Sequence, residues 1–181
     1  MQNLNKLNLG CGTDIKEGYL NLDCAEIEGV DIVHSLEKFP YPFKDNTFEE
    51  IIAIHVLEHL DDTVKVMEEI WRICRNNAKV IIRVPYWNSF ESIADPTHKK
   101  LFNQYSFEFF DPTKERCQTR PYYTKARFKI LKVFYYIKLK KYIKVSNSFL
   151  KVILNLFSLF LCNIIRAIEY EFSAIKVLDE K

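Results

Sequence analysis

Apolar and polar residues follow two different patterns along the first half of the chain. Five short apolar runs end in glycine or polar residues, which is typical of strands that are buried on both faces of a sheet. They lie at residues 6–9, 19–23, 31–34, 50–54 and 79–84. This pattern predicts an α/β fold with a mostly parallel sheet, whose functional edge lies at the carboxyl ends of the strands.

The clearest helical pattern lies between the last two runs, at residues 61–74. Apolar side chains recur there every three or four residues, which predicts one buried face. Asp61 or Asp62 can cap the amino end of this helix, and Asn76 and Asn77 follow its carboxyl end. The predicted buried face consists of Val64, Met67, Ile70, Trp71 and Cys74.

The second half of the chain is less regular. Residues 85–113 are rich in Pro, Asn, Asp and aromatics, which predicts a loop with a short helix near residues 106–110. Residues 126–138 are strand-like and residues 147–168 are helix-like. Residues 173–178 are the candidate for a closing strand.

Length and composition indicate one globular domain over residues 1–181. The chain has 48% apolar and 28% charged residues, and it is long enough to bury a core without disulfides. Its five cysteines are odd in number and form no CxxC pair, which favours a reducing compartment and argues against a zinc site. Residues 1–20 lack a long apolar core, so we expect no signal peptide and a cytoplasmic protein.

Charge divides the chain into an acidic body and a basic segment. Residues 1–113 hold 11 Lys or Arg against 19 Asp or Glu. Residues 114–144, here called the basic segment, hold 11 Lys or Arg and a single acid, Glu115. The segment is a candidate contact for an anionic membrane surface or a nucleic acid, and a solvated face without a partner is the alternative.

Glycine and acidic residues follow the first two apolar runs. Gly10, Cys11 and Gly12 come directly after the first run, where glycine lets the backbone turn sharply and approach a ligand with free N–H groups. Asp23 ends the second run, where a carboxylate can accept both hydroxyls of a ribose. A plain turn with a capping aspartate is the alternative interpretation.

Several segments, in order and at sensible spacing, resemble one family, the class I S-adenosylmethionine-dependent methyltransferases. Those similar to its first two cofactor motifs are residues 7–13 (LNLGCGT) and 18–23 (GYLNLD). Those similar to its fourth strand and the helix after it are residues 42–51 (PFKDNTFEEI), 55–60 (HVLEHL) and 67–73 (MEEIWRI). The DPTH sequence at residues 95–98 resembles short members of the type 11 group.

The resemblance implies a Rossmann-like sheet with helices on both faces, and S-adenosylmethionine as the cofactor. Residues 1–88 would form the cofactor-binding half, and residues 89–181 the substrate-side half. Only residues 10–18 join the first two strands, so the first crossover helix must be truncated to one or two turns. The residues implied to contact the cofactor are Gly10, Cys11 and Gly12 at its methionine part, Asp23 at the ribose, Ser35 and Leu36 at the adenine, and His55 and Leu57 near the sulfonium.

Methyl transfer to a hydroxyl or amine also benefits from a base that removes the acceptor's proton. Asp95 and His98 follow the fifth strand, beside the expected methyl group, and a histidine that titrates near neutrality suits this role. The prediction is that Asp95 orients or charges His98, and a structural turn is the alternative. No metal-ligand spacing is present, so no metal is expected. The rival bases are His55, Glu58, His59 and Glu91.

The leading hypothesis is S-adenosylmethionine-dependent methyl transfer to a small molecule, such as a glycan or a lipid-linked precursor. The alternatives are a cofactor-binding or membrane-surface protein without turnover, and an RNA methyltransferase that uses the basic segment. Residues 152–165 are uncharged but fall short of the ~20 residues that span a bilayer. We expect a helix packed on the sheet there, with a helix at a membrane surface as the alternative.

Overall fold

A single eight-stranded sheet forms the centre of the protein in the computed structural model, which describes residues 5–138 and 142–176. The strand order is β3-β2-β1-β4-β5-β8-β6-β7. The strands are β1 (Lys6–Leu9), β2 (Leu20–Asp23), β3 (Ile32–Val33), β4 (Phe48–Ile54), β5 (Cys74–Pro85), β6 (Phe128–Lys138), β7 (Tyr142–Val145) and β8 (Ile165–Ala174). The α-helices are α1 (Thr63–Ile73), α2 (Phe90–Ala94), α3 (Glu115–Thr119) and α4 (Ser148–Phe160). Short 3-10 turns lie at Leu57–His59, Glu108–Phe110 and Pro121–Tyr123.

The first five strands pair in parallel, and β8, β6 and β7 add an antiparallel extension. In the middle of the parallel part, Leu7 of β1 lies opposite Leu20 of β2 and Ile51 of β4. Leu7 and Ile51 are fully buried, and Leu20 is partly buried. The parallel strands end at one edge of the sheet, and the strand order reverses at β1. This architecture confirms the predicted α/β class.

The connection between β1 and β2 differs from the prediction of a helix of one or two turns. Residues 10–19 contain turns but no helix in this part of the structure. The buried amide of Asn8 donates to the carbonyl of Asp14 at 2.9 Å and to Oδ1 of Asn21 at 3.0 Å. Oδ1 of Asn21 also accepts the backbone N–H of Lys16 at 2.9 Å. Buried amides therefore fix this connection in place of a crossover helix.

Helix α1 forms as its pattern predicts, with one exception on its buried face. Oδ1 of Asp62 accepts the N–H of Lys65 at 3.0 Å and caps the helix. Val64 was predicted to be buried but is 37% exposed, because the buried face is centred between Val66 and Ile70 and Val64 lies at its edge. The fully buried side chains of the helix are Val66, Met67, Ile70 and Ile73.

The prediction of a helix over residues 147–168 is wrong from residue 161 onward. Helix α4 ends at Phe160, and the chain then forms β8, which pairs with β5 on one side and β6 on the other. An unbroken apolar run has no period that separates a buried strand from a helix, so pairing with two neighbouring strands decides its conformation. The predicted strand over residues 173–178 overlaps the end of β8, and its residues 177–178 lie outside the described residues.

A buried carboxylate joins four strands of the sheet. Glu169 of β8 accepts hydrogen bonds from Arg83 of β5, Tyr136 of β6 and Lys144 of β7. Burial by itself would raise the pKa of Glu169, but the hydrogen bonds from Lys144 and Arg83 outweigh it and lower the pKa. The carboxylate is therefore charged and paired at neutral pH.

The helices of the described residues include none that is both long enough and apolar enough to cross a membrane. Helix α4 spans only 13 residues.

Truncation of the buried face of α1 should destabilise the fold. Ile70 is fully buried, so Ile70→Ala should lower the free energy of unfolding by about 2–5 kcal/mol through lost burial and a residual cavity. Val64→Ala on the same helix is the matched control and should change it by less than about 1 kcal/mol. Urea unfolding followed by circular dichroism measures both, and equal losses would contradict the assignment of the buried face.

Candidate active site

A cavity of about 300 Å³ lies at the carboxyl edge of the parallel strands. Its walls come from the segments that follow β1, β2, β3 and β4, which the parallel pairing brings to one edge. Its lining residues are Gly10, Asp23, Cys24, Ser35, Leu36, Glu37, His55, Val56, His59 and Leu60. We call this space the cofactor cavity.

Gly10 fits its position because the side chain of Val56 fills the space where a Cβ would be. A Cβ at Gly10 would lie 2.6 Å from Cγ2 of Val56, and the φ angle of Gly10 is +61°. A side chain at this position would therefore clash with Val56 and strain the backbone. The floor of the cavity is therefore bare backbone, which a ligand can approach closely.

Asp23 is held rigidly at the end of β2. Its Oδ2 accepts the backbone N–H of Gly12 at 2.8 Å, and its Oδ1 accepts that of Ala25 at 3.0 Å. Burial would raise the pKa of Asp23, but the hydrogen bonds from Ala25 and Gly12 outweigh it and lower the pKa. The side chain is thus a carboxylate at neutral pH, and each oxygen keeps a lone pair for a hydroxyl of a ribose.

The cavity brings together five of the eight residues predicted to contact the cofactor: Gly10, Asp23, Ser35, Leu36 and His55. The other three do not line it. Cys11 is buried beneath the turn, Gly12 is tied to Asp23, and Leu57 is 1% exposed within the core. The prediction that Leu57 contacts the cofactor is therefore wrong. The chain turns after β4, so that the preceding residue, Val56, lines the cavity instead.

Four lining residues were missed by the sequence reasoning: Cys24, Glu37, Val56 and Leu60. Each lies within three residues of a predicted contact, so position along the chain was the available signal. Glu37 is the informative one, since it places a carboxylate next to Ser35 and Leu36, the residues implied to contact the adenine. Glu37 already accepts the N–H of Asp61 at 3.1 Å and pairs with Lys99 at 3.1 Å.

His55 lies at the junction of three cavities. It lines the cofactor cavity, a larger space of about 670 Å³ and a third of about 290 Å³. Its φ angle of +58° is unusual for a residue with a side chain, and its backbone N–H bonds to the carbonyl of Arg83 at 2.8 Å. Backbone held in this region is frequent at functional sites.

The larger space, here called the substrate cavity, is rich in titratable side chains. Most of its walls come from the turn after β4 and from residues 90–98, which include α2. Its lining residues are His55, Glu58, His59, Pro85, Phe90, Glu91, Ala94, Asp95, Pro96, His98, Lys138 and Arg166. All four rival bases from the sequence are therefore in this cavity together with Asp95 and His98.

The predicted pairing of Asp95 with His98 needs correction. Oδ1 of Asp95 accepts the backbone N–H of Thr97 at 2.8 Å and its hydroxyl at 2.6 Å, which is the geometry of a turn. Nδ1 of His98 lies 3.2 Å from the carbonyl oxygen of Ser92. Ser92, and not Asp95, therefore orients the imidazole, although both predicted residues line the cavity.

Arg166 was missed because the sequence predicted a helix there. On β8 it reaches the substrate cavity and forms an ion pair with Glu91, whose carboxylate also accepts the hydroxyl of Tyr142 at 2.9 Å. Burial would raise the pKa of Glu91, but the hydrogen bond from Arg166 outweighs it and lowers the pKa. A carboxylate held by Arg166 in this way is a weak proton acceptor.

Comparison with known proteins gives one family and many similar folds. Residues 32–82 match the family model described as a methyltransferase domain, Methyltransf_11. A stretch of 43 residues is 49% identical to an uncharacterized protein of Methanocaldococcus jannaschii. This stretch makes up 24% of this chain and covers only 19% of that relative's length.

Two solved structures illustrate the fold. A SAM-dependent methyltransferase from Archaeoglobus fulgidus has a TM-score of 0.58 at 19% identity, over 93% of this chain and 85% of that one. Phosphoethanolamine N-methyltransferase 2 of Haemonchus contortus, in complex with S-adenosyl-L-methionine, has a TM-score of 0.51 at 12% identity, over 95% of this chain and 48% of that one.

The chain has the fold of S-adenosylmethionine-dependent methyltransferases, and residues 32–82 carry the match to the methyltransferase-domain model. These findings support the predicted resemblance and the predicted cofactor, S-adenosylmethionine. The cofactor cavity fits that molecule, because a glycine floor and a fixed carboxylate stand at the ends of neighbouring strands.

Removal of the carboxylate at Asp23 should weaken cofactor binding. We expect the wild type to bind S-adenosylmethionine in the micromolar range, about −8 kcal/mol. Asp23→Ala should lose about 1.5–3 kcal/mol of this, the usual loss for hydrogen bonds to a charged group. Calorimetry measures both, with Asp14→Ala as the control, because Asp14 is exposed and pairs with Lys16. A wild type that binds no cofactor would contradict the assignment of this cavity.

Proposed function

We propose that this protein transfers a methyl group from S-adenosylmethionine to a small-molecule acceptor bound in the substrate cavity. The observation that carries the proposal is the position of His55, which lines the cofactor cavity and the substrate cavity at once. A molecule in one cavity can therefore meet a molecule in the other beside this residue. The family model and the fold support the same class of reaction.

Alignment is the main task of the chain in this reaction. Bound S-adenosylmethionine would supply an activated methyl group, because the positively charged sulfur that carries it is a good leaving group. The carboxylate of Asp23 and the backbone at Gly10 would hold the cofactor in one orientation. The walls of the substrate cavity would hold the acceptor in line with it, which removes most of the entropic cost of the encounter.

A hydroxyl or amine acceptor must also lose a proton. We propose that this proton leaves on the side of the cavity formed by Glu58, His59 and His98, which lie together at its wall. Asp95 would act indirectly, because it fixes Thr97 in the same turn.

Truncation of His98 tests this part of the proposal. His98→Ala should lower turnover about 10²–10⁴-fold, the usual contribution of acid–base catalysis. Cofactor affinity should stay unchanged, because His98 does not line the cofactor cavity. The measurement is transfer of a labelled methyl group to components of the protein's own cell extract, with His34→Ala as the control. If the wild type labels nothing in the extract while it binds the cofactor, a binding protein without turnover is the better description.

Helix α4 suggests the kind of acceptor. Lys151, Asn155 and Ser158 face the protein, whereas most of its apolar residues other than Leu154 face outward, which is the reverse of an ordinary surface helix. Lys151 donates to the carbonyl of Val133 at 2.8 Å, and Ser158 is buried. The exposed apolar face, here called the α4 face, consists of Phe149, Val152, Leu156, Leu159 and Phe160, each more than half exposed.

Charge around the α4 face favours an anionic lipid surface as its partner. The sequence contains no Asp or Glu between Glu115 and Glu169, whereas it contains 12 Lys or Arg there. Two features bind a protein to the surface of an anionic bilayer: apolar side chains that enter it, and basic residues that attract its head groups. The α4 face and the acid-free stretch around it supply both. We therefore propose that the protein works at the periphery of a membrane.

The α4 face and the substrate cavity are neighbours, which supports a lipid-linked acceptor. The amide of Asn88 donates to the carbonyl of Ser158 at 2.7 Å, and Oδ1 of Asn163 accepts the N–H of Phe90 at 2.8 Å. Phe90 lines the substrate cavity and is 60% exposed. An acceptor head group could thus enter the cavity while its lipid part stays in the bilayer.

Vesicle binding tests the membrane proposal. The wild type should bind vesicles of phosphatidylglycerol better than vesicles of phosphatidylcholine, and the binding should fall steeply with salt. Each substitution of Phe149, Leu156 or Phe160 by Ser should weaken it by about tenfold or more, given about 1.5–3 kcal/mol for each buried apolar side chain. Val33→Ser, an exposed apolar residue at the far edge of the sheet, is the matched control.

Replacement of Lys138, Lys140 and Lys141 by Gln should abolish the preference for anionic lipid and leave cofactor binding intact. Lys140 and Lys141 lie outside the described residues. Binding to RNA but not to vesicles would favour the nucleic-acid alternative. A wild type that dimerises through the α4 face, and a triple Ser variant that is monomeric, would assign this face to a second copy of the chain.

A further inference from the structure

We propose that Glu58, His59 and His98 form a binding site for a divalent transition metal of the zinc type, in the wall of the substrate cavity. One side-chain ligand atom from each of the three residues lies within 4.8 Å of the other two. The sequence predicted no metal, because His98 is 39 positions from His59 and no ligand spacing reveals the set. Metal binding itself is independent of the proposed reaction, whereas the role of the metal rests on it.

The backbone holds the two parts of the site together. Glu58 and His59 lie in the 3-10 turn Leu57–His59 after β4, and His98 lies after α2. The carbonyl of Glu58 accepts the N–H groups of Lys99 at 2.7 Å and Lys100 at 3.2 Å. The imidazole rings of His59 and His98 are in edge contact, with their centroids 4.6 Å apart.

The hydrogen bonds around the site determine which nitrogen of His59 is free. The hydroxyl of Thr97 has one hydrogen, which it donates to the carboxylate of Asp95 at 2.6 Å. The same oxygen lies 2.8 Å from Nδ1 of His59, so it must accept a hydrogen from that nitrogen. In the neutral imidazole, Nε2 of His59 therefore presents a lone pair.

His98 has the same arrangement. Its Nδ1 lies 3.2 Å from the carbonyl oxygen of Ser92, which can only accept, so the hydrogen is on Nδ1 and Nε2 presents the lone pair. A histidine that donates one ring N–H to a fixed oxygen and offers the other nitrogen is the usual arrangement of a metal ligand. Both histidines of the site thus have an outer partner that orients them.

The carboxylate of Glu58 supplies an independent indication of a bound cation. Glu58 is 1% exposed, and its Oε1 lies 3.2 Å from Nδ1 of His55. Its Oε2 is buried and has no hydrogen-bond partner among the described residues. An unpaired buried acceptor is costly, and a cation bound beside it would satisfy it.

The ligand types suit zinc and related ions. Two imidazoles and one carboxylate leave at least one coordination position open, as in catalytic zinc sites. Ligand atoms of a tetrahedral zinc site are about 3.4 Å apart, so small side-chain rotations would complete the site. A hydroxyl acceptor bound at the open position would release its proton readily to solvent water, because a metal ion lowers the pKa of a bound hydroxyl group. The metal would then replace a histidine base.

Metal titration of the apoprotein tests the proposal. The protein is stripped with a chelator and titrated with Zn²⁺ by calorimetry and with Co²⁺ by visible absorption. A Cys24→Ser, Cys162→Ser background removes the two exposed thiols, which are competing zinc ligands. We expect one equivalent of metal to bind and the Co²⁺ spectrum to show nitrogen and oxygen ligands.

Glu58→Gln and His98→Ala should each weaken binding by about 100-fold or more, beyond the 10–100-fold usual for outer partners of a metal ligand. His34→Ala, whose histidine lines neither cavity, should bind as the background protein does. Thermal unfolding verifies that each variant is folded. If His98→Ala does not fold, Glu58→Gln alone tests the metal site. Absence of stoichiometric binding, or equal affinity in all variants, would overturn the site.

Two further measurements separate this inference from the proposed function. Methyl transfer that persists in chelator would leave the proposed reaction standing and remove the role of the metal. Metal binding without methyl transfer would leave the site standing and contradict the reaction.

Discussion

The close approach of Gly10 to Val56 is the constraint on which the site depends. It joins the end of β1 to the turn after β4 at the point where the strand order reverses, and a Cβ at Gly10 has no room there. The parallel pairing of β1 with β2 and β4 then brings Asp23 and His55 to the same edge. Without that contact, the floor of the cofactor cavity and the turn that begins at His55 would lie further apart. The position of His55 between the cavities follows from the same arrangement.

Two buried carboxylates show how differently the same chemical group can serve. Glu169 is surrounded by Arg83, Lys144 and Tyr136, so its charge is neutralised and it joins the parallel and antiparallel parts of the sheet. Glu58 is buried as deeply, but one of its oxygens has no partner among the described residues. A satisfied carboxylate stabilises a fold, whereas an unsatisfied one in the wall of a cavity costs stability and indicates a ligand. This contrast between the two acids supports the proposed metal-binding role of Glu58.

Helix α4 differs from an ordinary surface helix, because it exposes apolar side chains. Its inward side offers Leu154 and Ser158 to the protein, and bonds from Asn88 and Lys151 hold it in place. Polar anchoring lets the apolar side chains remain outside, where water makes them unfavourable and a lipid surface would not. Because the helix is bonded to the loop that lines the substrate cavity, a membrane at the α4 face and an acceptor in that cavity are compatible in space.

The sequence by itself determined the parallel strands, helix α1 and half of the residues that line the cofactor cavity, because short buried runs, a 3.6-residue period and glycine at strand ends are local signals. Tertiary structure decided the rest. Ile165–Ala174 became a strand because two neighbouring strands pair with it, although its composition suits a helix equally. The carboxylate of Asp95 accepts a hydrogen bond from Thr97 instead of from His98. Val56 lines the cavity where Leu57 was expected, because a shift of one position along the chain changes the direction of a side chain. The cluster of Glu58, His59 and His98 joins residues far apart in sequence, and no local pattern records a contact that only folding creates.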